Sequence, residues 1–162
     1  MVMELCGPSL FHRLIKGGPL GEEEAAKTIQ MLAEALKGIR TSGIVHRDLK
    51  PENIAEISNH HLMQGQAGRY CRARGAIDVW ALGVIAYELL RGYKQSKEIE
   101  LLRTGEFLDG CPLSDEAVDL ICGMLAVEPS ERLMLDGVLE HPWIVENCRR
   151  SRRRFKGGGA VE

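Results

Sequence analysis

Three side chains in one short run have the chemistry that phosphoryl transfer requires. Within His46-Arg47-Asp48-Leu49-Lys50-Pro51-Glu52-Asn53, Asp48 offers a carboxylate able to accept or orient a hydroxyl proton. Lys50 offers positive charge to a migrating phosphate. Asn53 offers an amide oxygen that suits a hard cation such as Mg²⁺, although one such ligand is a weak metal site. In an extended loop Lys50 stands two residues beyond Asp48, so the two side chains project the same way.

The surrounding elements must hold this run in place. Val2 to Cys6 reads as a short strand entering a connector closed by Gly7-Pro8, and Leu10 to Ile15 as a small helix ended by Gly17-Gly18-Pro19. Ala25, Ile29, Leu32, Leu36 and Ile39 recur at helical spacing and predict an amphipathic helix. Glu22, Glu23 and Glu24 fall in its first turn and Lys37 and Arg40 near its end, as the helix dipole favours. Gly43 stops it, and Ile44-Val45 leads straight into the run.

Asp78 to Leu90 is apolar on every side, which predicts a helix buried all round. Ser114 caps a further helix with Asp115 and Glu116 in its first turn and Ala117, Ile121, Met124 and Leu125 as its stripe. A short helix over Leu135–Glu140 ends before Pro142. Trp80 and Trp143 read as packing residues. No internal repeat interrupts this order.

A chain of 162 residues can bury one modest core. Formal net charge is −2; six cations between Arg149 and Lys156, against the lone Glu162, leave residues 1–148 at −7. That balance excludes a general polyanion-binding surface over most of the chain. The run of cations has no apolar face of its own, so residues 146–162 are expected to be a disordered basic tail. A solvated end is the plainer reading of it, and a salt-sensitive nucleic-acid or anionic-lipid contact the sharper one.

Five cysteines without a C-x-x-C pair imply reduced thiols, in a cytoplasmic or nuclear protein. His60-His61 lacks a third ligand at metal spacing and reads as an exposed loop pair. Met1 leads into Val2-Met3-Glu4-Leu5 without a basic start, so no signal peptide is expected. Val79 to Leu90, broken by Gly83 and Glu88, is too short to span a bilayer, and no membrane partner is expected.

The eight-residue run and the order of helices around it resemble the eukaryotic serine/threonine protein kinases, Lys50-Pro51-Glu52-Asn53 being the serine/threonine form. The resemblance covers the C-terminal lobe only. Asp78-Val79-Trp80-Ala81-Leu82-Gly83-Val84 is similar to that lobe's central buried helix. Leu113 to Ala117, Arg132 and His141-Pro142-Trp143-Ile144 are similar to its closing helices. The closing pattern is closest to the calcium/calmodulin-dependent and plant calcium-dependent group.

The fold so implied is mainly α, a truncated kinase-like C-lobe over residues 1–145 with a few residual short strands. Residues 1–6 would be a hinge remnant, 46–53 the catalytic loop, and 55–67 a replacement for the activation segment. The resemblance makes Asp48 the catalytic carboxylate, Lys50 the γ-phosphate contact and Asn53 a ligand of the second Mg²⁺. Met3, Glu4, Cys6 and Ala55 would contact the adenine of ATP, with Met3 as gatekeeper. Asp78 would bind backbone N–H groups of the loop. His46 is structural, Arg47 would meet a phosphorylated activation loop, and Arg132 would pair with the glutamate of an Ala-Pro-Glu motif.

Several expected partners are absent from the sequence. It contains no G-x-G-x-x-G, no Asp-Phe-Gly and no Ala-Pro-Glu, and only 24 residues separate Asn53 from Asp78. The expectation is therefore a kinase-like protein, built for ATP γ-phosphoryl transfer to protein Ser or Thr with Mg²⁺, but truncated and inactive as an isolated chain. A pseudokinase-like module that docks a protein partner and an incomplete gene product are the alternatives.

Overall fold

A computed structural model describes residues 7–57, 60–63, 72–92 and 112–157. The expected hinge remnant, with Met3, Glu4 and Cys6, lies outside the described residues. In chain order the elements are α1 (Leu10–Gly17), α2 (Glu22–Thr41), a 3-10 turn (Pro51–Asn53), β1 (Ile54–Ile57), β2 (His60–Met63), α3 (Arg72–Arg91), α4 (Asp115–Met124), α5 (Leu135–Glu140) and α6 (Pro142–Gly157). The architecture is mainly α. Its described strands form one antiparallel pair, with Ile54 opposite Met63 and Ile57 opposite His60.

Helix α2 is the hub, packing against α3, α5 and α6. Ala25, Ile29, Leu32 and Leu36 of its predicted stripe are buried, joined by the small residues Ala26 and Ala33 that let neighbouring helices approach. Its end is chemically determined. The Gly43 N–H donates to Arg40 O at 2.9 Å, and the Ile44 N–H to Ile39 O at 3.2 Å. Gly43 takes φ +74°, the left-handed conformation this motif needs and that glycine adopts without steric cost. The chain is thereby aimed at Val45 and the loop beyond.

Helix α3 begins at Arg72, before the expected start at Asp78. Leu82, Ile85, Ala86, Tyr87 and Leu89 are fully buried, but Trp80, Ala81 and Val84 are only partly so. The expectation of burial all round is corrected accordingly, because one side of α3 remains open. Opposite it, α4 packs closely. A β-carbon on Gly83 would stand 2.9 Å from both Leu125 and Met124, so only glycine permits this approach.

Three elements meet at Glu22. One carboxylate oxygen accepts from the Ser114 N–H at 2.7 Å; the other accepts from Ser114 Oγ at 2.6 Å and Trp143 Nε1 at 2.7 Å. Burial by itself would raise the Glu22 pKa. The hydrogen bonds from Ser114 and Trp143, with the charge of Arg150, outweigh it and leave the carboxyl below the usual glutamate range. Ser114 Oγ also accepts from the Ala117 N–H and so caps α4. A residue read from sequence as a dipole partner thus ties α2, α4 and α6 together.

The expected boundary at residue 145 falls inside a helix, and the last part of the expected tail, 158–162, lies outside the described residues. Helix α6 runs through to Gly157, and Asn147 and Cys148 are buried. Trp143, Ile144, Asn147 and Cys148 form one face that seats the helix, and tertiary burial outweighs the mutual repulsion of the cations. Glu146 relieves part of that repulsion, standing 3.1 Å from Arg150 and 3.9 Å from Arg149. His60 and His61, expected in a loop, instead open β2.

Candidate catalytic loop

Alternate burial shapes the loop. Val45, His46, Leu49, Pro51 and Ile54 are buried, while Arg47, Asp48, Lys50 and Glu52 are exposed. The inward residues fasten the segment to the core and leave carboxylate and ammonium at the surface. Asp78, 5 % exposed at the start of the buried part of α3, supplies the second fastening. Its Oδ2 accepts from the His46 N–H at 2.9 Å and its Oδ1 from the Arg47 N–H at 2.8 Å. Arg47 sits at φ +66°, a strained conformation for a residue with a β-carbon, and the carboxylate of Asp78 grips the backbone at that point.

The three residues proposed from sequence to do chemistry converge. Lys50 Nζ lies 3.1 Å from Asp48 Oδ1. Asn53 Nδ2 donates to Asp48 Oδ2 at 2.7 Å and to the Asp48 carbonyl at 2.8 Å. The hydrogen bond from Lys50, then that from Asn53, hold the Asp48 carboxyl below the ordinary aspartate range. Such a carboxylate is ionised at neutral pH and a poor proton acceptor. It is better suited to orienting a hydroxyl than to removing its proton outright.

A magnesium nucleotide does not find a matching site among the described residues. The Asn53 amide nitrogen is committed to Asp48, so only its carbonyl oxygen is left for a cation. No cluster of three His, Cys, Asp or Glu side chains suitable for a metal occurs among the described residues. Ala55, expected under the adenine, is half-buried in β1, paired with Leu62 and bridged to Ser9.

The remaining structural candidates have definite places. His46 is 2 % exposed, and neither ring nitrogen has a hydrogen-bond partner among the described residues. Arg132 donates from Nη1 to Ala76 O at 2.7 Å, from Nε to Ala126 O at 3.0 Å and from Nη2 to Val127 O at 3.2 Å. Its guanidinium also lies 4.9 Å from the Trp80 ring centroid. In this chain, with no Ala-Pro-Glu glutamate, Arg132 clamps the start of α3 to the turn after α4.

Glu88 carries a signal that the sequence reading used only against a membrane span, an acid within an otherwise apolar helix. It is 4 % exposed; burial, then the negative charge of Glu52 beside the loop, pushes its pKa up to about 7. An unfolded glutamate titrates near about 4.3, so between these values the unfolded chain sheds a proton that the folded chain keeps. Stability should therefore decline as pH rises across that interval. Glu88→Gln should raise the thermal midpoint more at about pH 8 than at about pH 5. Equal effects at both pH values in thermal melts would contradict this assignment.

Comparison with known proteins agrees with the geometry. A protein kinase domain model matches residues 1–64. A serine/threonine-protein kinase H1 homolog from Danio rerio is 34% identical, the match taking in 90% of this chain and 44% of the relative. A calcium/calmodulin-dependent protein kinase type 1 from Caenorhabditis briggsae is 32% identical over 91% of this chain and 52% of its own length. An aurora kinase A-B from Xenopus laevis is 32% identical, over 91% of this chain and 44% of its own. The chain spans about half the length of the curated relatives it matches. The first match extends over 187 positions yet uses only nine-tenths of the 162 residues, so about forty positions inside it have no counterpart here. With a buried aspartate gripping an exposed Asp-Lys-Asn loop on a helical lobe, these similarities fit a fragment of a serine/threonine protein kinase.

Proposed function

We propose that this chain is a kinase-type C-lobe that keeps the hydroxyl-orienting loop but does not transfer phosphate unaided. The family reaction is transfer of the ATP γ-phosphoryl group to a protein Ser or Thr, with Mg²⁺. The observation that carries the proposal lies inside the chain. Between Asn53 and Asp78 there is no Asp-Phe-Gly, and the loop offers a cation one amide oxygen beside Asp48. Losing the principal metal carboxylate removes most of the charge stabilisation on which phosphoryl transfer depends. Localisation in the cytoplasm or nucleus is part of the same proposal, supported by five cysteines in the sequence without a C-x-x-C pair. No helix of the described residues is long and apolar enough to cross a membrane.

Mg-ATP should accordingly leave the thermal midpoint of the purified chain nearly unchanged. Stabilisation by a ligand grows as RT ln(1 + [L]/Kd), so an affinity of millimolar or weaker gives under about 1 kcal/mol at millimolar nucleotide. A rise of many degrees that vanishes in Asn53→Ala would refute the proposal.

A second reading, a module that docks a protein partner, has its own supporting observation. A cavity of about 610 Å³ opens where the N-terminal part of α3 meets the turn before α5, lined by Ala76, Val79, Arg132, Leu133, Met134 and Leu135 among others. Ile77, Val127 and Met134, three of the exposed large apolar residues, belong to the same segments. Exposed apolar surface of this kind marks interaction sites more often than isolated residues do. Concentration-dependent association lost in Ile77→Asp would support it, and a strictly monomeric chain without partner binding would exclude it.

A further inference from the structure

The C-terminal half of α6 is unused by the catalytic loop, and its charge is arranged rather than merely accumulated. Arg149, Arg152, Arg153 and Lys156 fall at i, i+3, i+4 and i+7 of one helix. Their backbone positions therefore share a face over about 10 Å. The opposite face, bearing Ile144, Asn147 and Cys148, is buried in the lobe. Arg149, Arg150 and Arg153 are exposed. Glu146 is the acid that the described ion pairs set against this run, at its N-terminal edge.

We propose that this cationic stripe binds the phosphate backbone of a nucleic acid without reading its sequence. Five of the six cations from Arg149 to Lys156 are arginine, whose planar fork matches phosphate oxygens bidentately. An anionic membrane fits less well. Trp143, Ile144 and Cys148 of α6 are already buried against the lobe, and among the described side chains only Val145 leaves a large apolar group on this helix to insert among lipid chains. Residues 1–148 carry −7, so a broad anionic plane would repel the body of the protein, whereas a narrow polyanion can touch the stripe alone. Phosphate contact without groups aimed at base edges gives affinity but no sequence preference.

The test uses the full 162-residue chain and a fluorescent DNA duplex of about 20 base pairs, titrated by anisotropy over a range of salt. Four neutralised phosphates predict a log–log salt slope of about −3 to −4, equal for duplexes of different sequence. Replacing Arg149 and Arg153 together by Gln should flatten the slope by about two and weaken binding about tenfold or more at low salt. Lys16→Gln, an exposed cation on α1, should change neither. A slope near zero in the unaltered chain, or unchanged binding in the double variant, would overturn the proposal. So would tighter binding to phosphatidylserine vesicles, or equal competition by polyglutamate. Those results would assign the stripe to a membrane or to an acidic protein.

Discussion

Replacing Asp78 by alanine should free the catalytic loop from α3 and destabilise the chain by about 3–5 kcal/mol. Two buried hydrogen bonds to a charged acceptor are lost, each worth about 1.5–3 kcal/mol, and the N–H groups of His46 and Arg47 are left without their acceptor. The strain at Arg47 would then have nothing to hold it. Asp78→Asn should cost roughly half as much, because the amide keeps one acceptor but turns its NH₂ toward a donor. Chemical denaturation checks both. A midpoint for Asp78→Ala within about 0.5 kcal/mol of the unaltered chain would show that the loop is held by other contacts.

Tyr87→Ala should cost as much by a different route. Tyr87 is fully buried in the C-terminal part of α3, and truncating such a ring leaves a cavity worth about 3–5 kcal/mol, a large part of a domain's net stability. Trp80 is the more conspicuous residue in the sequence, yet its ring is only partly buried and faces Arg132. Trp80→Ala should therefore cost about half as much. Lys50→Ala, at an exposed side chain, should cost little. Equal shifts of the denaturation midpoint for Tyr87→Ala and Lys50→Ala would contradict the placement of the core.

Where one periodic stripe decided the outcome, the sequence was a sufficient guide. The spacing of Ala25, Ile29, Leu32 and Leu36 located α2, and Ala117, Ile121 and Met124 located α4, because one buried face fixes a helix regardless of its partners. The loop triad was legible for a similar reason, its residues being close in sequence as well as in space. Asp78 is 30 residues from Asp48, and only the family resemblance connected it to the loop.

The rest depended on contacts that no local pattern records. Six cations in eight residues spoke for disorder, and Ile144, Asn147 and Cys148 overruled them by burial against the lobe. The β1–β2 pair was missed because Ile54-Ala55-Glu56-Ile57 and His60-His61-Leu62-Met63 show no clean alternation. The turn-favouring Ser58-Asn59 between them was the available signal. Glu22 looked like a dipole partner because its real partners, Ser114 and Trp143, lie far along the chain.

The most direct test of the central claim is phosphoryl transfer itself. The purified chain would be incubated with radiolabelled Mg-ATP and a generic Ser/Thr protein substrate, beside its Asp48→Asn variant. With the triad assembled but the metal carboxylate missing, the two should give the same background incorporation. Label transferred by the unaltered chain and abolished by Asp48→Asn would contradict the account.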